Sequence, residues 1–259
     1  MQASWQPTAA GLEALAAIAR AAGDLILQVY EGEIAVRDKG DRSPVTEADE
    51  RAEALIVPAL QALDASIPVV AEEAVAAGRV PQVGERFWLV DPLDGTKEFI
   101  SRNGEFTVNI ALVERGQPRL GVVLAPALGR LFAGAVGEGA WLEEGGQRRT
   151  IVARLPPAAG LSVVASRSHG DAAALEAFLA GRRVAGLVSA GSSLKLCLLA
   201  AGEADLYPRL GRTMEWDIAA GHAVLAAAGG RVLDLAGEPL RYGKPGFENP
   251  HFAAWGLPA

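Results

Sequence analysis

The chain has one cysteine among 259 residues, so an internal disulfide is excluded. Cys197 stands in the apolar run LKLCLLA, which reads as a buried structural thiol, with a reactive thiol as the alternative. Such cysteine usage fits a reducing cytoplasm. Basic runs are scarce too. No Lys/Arg run exceeds two residues and the net charge is -7, so no nucleic-acid partner is expected. No window of about 18 uncharged apolar residues occurs, so no stable membrane span is expected. The first residues, MQASWQPTAAGLEALAAIARAAG, lack an early Lys or Arg and carry an acid inside the apolar part. That pattern argues against a secretory signal. Internal repeats are absent, and only alanine richness approaches low complexity. What is present, 50% hydrophobic and 21% charged residues, is the composition of a folded globular protein. The length suits one large domain or two small ones.

Leu12, Leu15, Ile18, Ala22, Leu25, Ile26 and Val29 recur at three- and four-residue steps, predicting an amphipathic helix over about 9–30. Thr46, with Asp49 three residues on, reads as a capping-box variant opening a second helix to about 63. Pro58 should kink or shorten it. Short strands follow: PVVAEE, FWLVDP, FTVNIALVE, LGVVLAP, RLFAGAV and GAWLEE. Thr107 to Val113 alternates only loosely, which predicts a strand covered on both faces. RGQPR and PALGR read as turns of antiparallel hairpins. After about 155 strands and helices alternate, LSVVAS, VAGLVSA, ADLYP and RVLDL being the strands. A boundary is expected near 145–160, in EEGGQRR and LPPAAG. Residues 1–150 then form a helix pair with an antiparallel sheet, and 151–259 a smaller α/β part.

Acids gather where these strands end. WLVDPLDGT carries Asp91 and Asp94 straight after an apolar strand. Pro92 stiffens the turn, and Gly95 permits backbone angles that other residues avoid. Two carboxylates plus the Leu93 carbonyl would make a hard oxygen site suited to Mg²⁺. A solvated strand-end turn is the alternative. Glu72 and Glu73 end the strand PVVAEE, so alternation lets at most one face a site squarely. Asp217 opens an apolar helix, as an N-cap acid or as cap and ligand together. Asp49 reads as a capping acid or as a further site acid.

Together, TEAD, AEE, DPLDGTKEF and EWDIAAGHAVLAAAGG resemble the inositol monophosphatase superfamily of Mg²⁺-dependent, lithium-inhibited phosphatases. The D-P-L-D-G-T and W-D-x-A-A-G blocks are its two signatures, here about 120 residues apart and in the family's order. DGTKEFISRNGEFTVNIALVE, ASRSH and GSSLKLCLLAAGEADLYPR are similar to its CysQ branch, the 3'(2'),5'-bisphosphate nucleotidases. The resemblance runs from about Ala10 to Gly230. It implies a layered αβαβα sugar-phosphatase sandwich. It also implies two or three Mg²⁺ ions per site, with Glu72, Asp91, the Leu93 carbonyl, Asp94 and Asp217 as ligands. Asp49 matches the acid near a weaker third ion. Thr96 matches the hydroxyl that orients the attacking water, with Asp49 or Glu72 assisting. Where the family usually has S-E-E or G-E-E, this chain has Ala71-Glu72-Glu73, which removes a hydrogen bond but no ligand.

The implied activity is hydrolysis of adenosine 3',5'-bisphosphate to AMP and phosphate. An inositol or sugar monophosphatase, or a fructose-1,6-bisphosphatase, is the rival within the superfamily. A non-catalytic binder of phosphate ligands is the rival from another class. A bisphosphate nucleotide needs cations for its second phosphate. Arg167, His169, Lys195 and Arg209 are the candidates, with Ser166 opening the same strand-end segment as Arg167 and His169, and Gly191 and Ser192 near the sugar or base. Gly95 and Thr96 offer backbone N–H groups to phosphate oxygens, and Lys39 reads as a residue that steers phosphate or closes over the metals. Each basic residue reads equally as solvated surface, and His169 equally as a hydrogen-bonded structural histidine. Lys195 interrupts an apolar stretch, so its charge is either placed deliberately or snorkels to solvent. The expected partner is a small phosphate ester, with a homodimer as an open alternative. The expected location is the cytoplasm, with peripheral attachment to the inner membrane face left open.

Overall fold

Thr8 accepts a hydrogen bond from the Gly11 N–H and opens helix α1, Ala9–Glu31. In this computed structural model, residues 8–32, 36–38, 44–166 and 172–257 are described. The buried stripe of α1 is Leu12, Leu15, Ala19, Ala22 and Ile26. An antiparallel ribbon, β1 (Val36–Asp38) with β2 (Pro44–Thr46), leads into α2 (Glu47–Leu63). Thr46 caps α2 through its hydroxyl, and Asp49 reaches back to the Thr46 N–H, completing the expected box. Pro58 does not shorten the helix, which runs on to Leu63. It costs one backbone hydrogen bond, while Ala52, Ile56 and Leu60 hold the helix through burial.

The strand expected as PVVAEE is β3, Val69–Ala71, and it stops before the acids. Glu72 and Glu73 instead open a short helix, α3 (Glu72–Ala76), so strand alternation does not govern where they point. Next come β4 (Arg86–Asp94), α4 (Thr96–Ile100), β5 (Thr107–Glu114), β6 (Gln117–Ala125), β7 (Arg130–Ala135), β8 (Gly139–Glu144) and β9 (Gln147–Ile151). These form one seven-stranded sheet in the order β3 to β9, antiparallel except for the β3–β4 pair. β5 is buried from Thr107 to Val113, covered on both faces as expected. β9 falls where a linker was expected. Its four exposed residues, Gln147 to Thr150, are the charged and polar dress of an edge strand.

A second sheet holds β10 (Leu161–Ser166), β11 (Val184–Ala190), β12 (Leu206–Arg209), β13 (Arg231–Asp234) and β14 (Phe252–Trp255), ordered β11-β10-β12-β14-β13. Helices α5 (Ala172–Leu179), α6 (Leu194–Ala200) and α7 (Glu215–Ala227) lie between its strands in sequence. RVLDL does not close the set. β14 does, inserted antiparallel between β12 and β13.

The faces of the large sheet sort by parity along β5. Val108, Ile110 and Leu112 belong to a core shared with α1 and α2. Ala111 and Val113 belong to a core shared with α6, α7 and the second sheet. A third, small cluster of Val163, Leu206 and Ala253 lies beneath Phe178 and Leu179 of α5. The layers are therefore helix, sheet, helix, sheet, helix. The α7 layer is tight: a Cβ at Gly121 of β6 would stand 2.3 Å from the Ala220 carbonyl oxygen.

Candidate active site

β4 delivers two acids by breaking its own ladder. Asp91 pairs with Asn109 and Asp94 with Thr107, so three steps on β4 oppose two on β5. Such a bulge re-aims side chains and is common beside functional sites. Pro92 sits inside it, where no ladder N–H is required. Asp91 accepts a 3.0 Å bond from the Leu93 N–H, which fixes its carboxylate in the turn. Gly95 takes φ 91°, a left-handed conformation that glycine adopts without strain, and starts α4.

Thr96, the first residue of α4, sets its hydroxyl 3.3 Å from Asp49 Oδ1 and 3.5 Å from the Leu93 carbonyl. A single hydroxyl proton serves one of these acceptors at a time. Asp49 is buried and anchored from the other side by the Thr46 N–H and hydroxyl at 2.8 and 2.6 Å. It therefore reaches the site through Thr96. Asp217 is not the N-cap of α7 but its third residue, and Oδ2 accepts from the Met214 N–H at 2.8 Å. Behind it Glu215, fully buried, accepts from the Gly243 N–H, the Lys244 N–H and Lys244 Nζ at 2.7, 3.0 and 2.7 Å.

One cavity of about 540 Å³ gathers Glu72, Asp91, Leu93, Asp94, Gly95, Thr96, Gly191, Ser192, Lys195, Arg209 and Asp217 in its lining. Of the residues singled out from sequence, Lys39, Arg167 and His169 lie outside the described residues. Ser166 ends β10, and its side chain is likewise outside them. Lys195 does not snorkel to solvent. It is buried, with Nζ donating to the Ala190 and Ser192 carbonyls at 3.2 and 2.6 Å. Arg209 donates to the Arg212 carbonyl at 2.8 Å. Cys197 is buried, as its apolar run required.

Sequence reasoning missed Lys97, Ser193, Tyr207 and Arg212, which also line the cavity. The Ser193 hydroxyl donates to the Asp217 carbonyl and joins α6 to α7. Tyr207 had a readable signal, because two residues before Arg209 on the same strand means the same face. Lys97 and Arg212 look like ordinary surface charges in sequence.

The acids crowd one another. Burial pushes Asp94 up to about 6; Lys195 opposes this, while Glu72 and Glu98 add to it. Burial raises Asp217 well above the usual carboxylate range, reinforced by Asp94 and then Glu72. Burial lowers Lys195 to about 8, with Asp94 the strongest opposing influence. Uncompensated carboxylates in such a place resist ionisation, and a divalent cation removes that resistance. The donors are all oxygen, which is the preference of Mg²⁺. Among the described residues no three His, Cys, Asp or Glu side chains form a ready-made cage. Mg²⁺ keeps waters and uses one or two carboxylates per ion together with substrate phosphate. The residues present fit the ion.

No helix among the described residues is long and apolar enough to cross a membrane. The inositol monophosphatase family pattern matches residues 9–255. The 3'(2'),5'-bisphosphate nucleotidase CysQ of Escherichia coli K12 is 50% identical over 246 residues, 93% of this chain and 98% of that protein. The crystal structure of CysQ from Bacteroides thetaiotaomicron superposes with a TM-score of 0.79 at 37% identity, covering 96% of this chain and 98% of that one. An inositol monophosphatase from Anabaena superposes at 0.74 with 26% identity, covering 96% and 90%. Matched from its first helix to its last strand, the chain belongs to the inositol monophosphatase family.

Proposed function

We propose that this protein is a Mg²⁺-dependent phosphatase that hydrolyses the 3'-phosphate of adenosine 3',5'-bisphosphate to AMP and phosphate. One observation carries the reading. Acids from three separate segments and two cations, buried Lys195 and half-buried Arg209, line a single cavity. The similarity to nucleotidases supports the choice of substrate.

Glu72, Asp91, the Leu93 carbonyl, Asp94 and Asp217 would hold two or three Mg²⁺ ions. When bound, the ions neutralise the carboxylates and draw charge from the reacting phosphate and water. Thr96 orients the attacking water by accepting or passing a hydrogen bond, and Asp49 fixes the Thr96 hydroxyl. Gly95 and Thr96 line the cavity, and their backbone amides would meet phosphate oxygens. Lys195 and Arg209 supply positive charge for the second phosphate, and Gly191 and Ser192 border the sugar. No side chain is positioned as a covalent nucleophile in this scheme, so the displacement is direct.

The test is phosphate release from adenosine 3',5'-bisphosphate, inositol 1-phosphate and fructose 1,6-bisphosphate, with and without Mg²⁺. The bisphosphate nucleotide should be turned over fastest, and only with the metal. Equal rates on inositol 1-phosphate would replace the reading with a monophosphatase. Tight nucleotide binding with no phosphate release would replace it with a non-catalytic binder.

A further inference from the structure

Strand β5 carries two polar side chains in an otherwise apolar interior. Thr107 and Asn109 are both fully buried. By parity they share the face of Ala111 and Val113, the face turned toward α7. Their cross-strand partners are the site acids: Asn109 lies opposite Asp91, and Thr107 opposite Asp94. Asn109 Nδ2 is 3.5 Å from Asp94 Oδ2, a long hydrogen bond. Asn109 Oδ1 and Thr107 Oγ1 are buried with no hydrogen-bond partner among the described residues. Burying polar atoms this way costs about 1–3 kcal/mol each, so leucine or valine would serve a purely structural role better. The amide must turn its NH₂ toward Asp94, because its oxygen would repel the carboxylate.

We infer that Asn109 is a positioning residue that holds the Asp94 carboxylate in the orientation in which it meets the cation. An amide suits this task. It donates without titrating, so its hold does not vary with pH. It carries no charge, so it does not compete with the cation as a lysine would. The inference rests on the proposed reading of Asp94 as a metal ligand.

The test is calorimetric titration of Mg²⁺ into the metal-free protein, with no substrate present. Asn109→Leu keeps the branched four-atom skeleton, in a bulkier form, and deletes both polar atoms. It should weaken Mg²⁺ binding roughly tenfold or more, the usual effect of removing a group that orients a ligand. In an Asp94→Asn background the same change should alter affinity less than twofold, because the carboxylate it acts through is gone. Wild-type-like affinity in Asn109→Leu, or an undiminished loss in the double variant, overturns the inference. If Asn109→Leu fails to fold, Asn109→Ser is read by the same two criteria. Wild-type protein that binds no Mg²⁺ overturns the metal reading itself, an outcome distinct from the first.

Discussion

Asp94 is stabilised as a neutral acid by its surroundings and needed as an anion by its proposed role. Its folded-state pKa, about 6, lies above the unbound carboxylate value of 3.8. Below about pH 4 the folded and unfolded chains both keep this proton, and it makes no difference to stability. Between the two values the folded chain holds the proton while the unfolded chain loses it, so stability falls as pH rises. Above about 6 the loss is complete. Asp94→Asn escapes it. The metal-free variant should match wild type in melting temperature at pH 4 and exceed it at pH 7.5, while losing most phosphatase activity. A difference that stays flat with pH would contradict the buried-acid account. Lys195→Ala and Arg209→Ala should raise KM for a bisphosphate nucleotide more than for a nucleoside monophosphate; equal effects would remove them from the second phosphate. Asp91, Asp94 and Lys195 were legible in sequence because each breaks an apolar run. Arg212 and Lys97 were not, because an exposed charge looks the same in sequence whether or not a cavity lies beside it.

At the level of elements, the legible parts were those with strong local patterns: α1, the Thr46–Asp49 box, and the hairpins through Arg115-Gly116 and Pro126–Gly129. The bulge between Asp91 and Asp94 was half legible, since Pro92 and Gly95 announce a turn but not a register shift. β9 and β14 were lost for different reasons. QRRTI is an edge strand dressed in charge, and FAAW is four residues without alternation. Their strand character comes from neighbours rather than from their own sequence. Helix α3 was misread because VVAEE continues a strand in composition, while the chain turns at Ala71. The seating of α7 on the large sheet gives a direct test. Gly121→Ala would place a methyl 2.3 Å from a backbone oxygen of Ala220, which cannot swing aside as a side chain can. It should destabilise the protein by about 1–3 kcal/mol in urea unfolding. It should also reduce activity in the surviving folded fraction, because α7 carries Asp217. Retained stability would mean that the helix slides freely on β6.

Across the whole molecule, α7 is gripped from both directions. The large sheet lies under it, and the segment Gly243–Asn249 closes on its first turn through Glu215 and Lys244, with Asn249 donating to the Met214 carbonyl at 2.7 Å. Lys244→Met keeps the stem and removes one charged donor to a buried carboxylate. It should cost on the order of 2 kcal/mol in stability. No change in the urea midpoint would show that the two backbone amides alone satisfy Glu215. This grip was invisible in sequence, since Glu215 and Lys244 are 29 residues apart and joined only by the fold. The same remoteness governs the cavity acids. Glu72, the Asp91–Asp94 turn and Asp217 meet nowhere but in the completed sandwich, so the unfolded chain offers a cation only scattered single carboxylates. Mg²⁺ would then act as a folding ligand as well as a cofactor. At a hundred times its dissociation constant it would add about 2.7 kcal/mol to stability, and a chelator would withdraw it. Thermal stability should thus follow the magnesium supply, and a chain starved of the ion would be more easily unfolded and cleared as well as inactive.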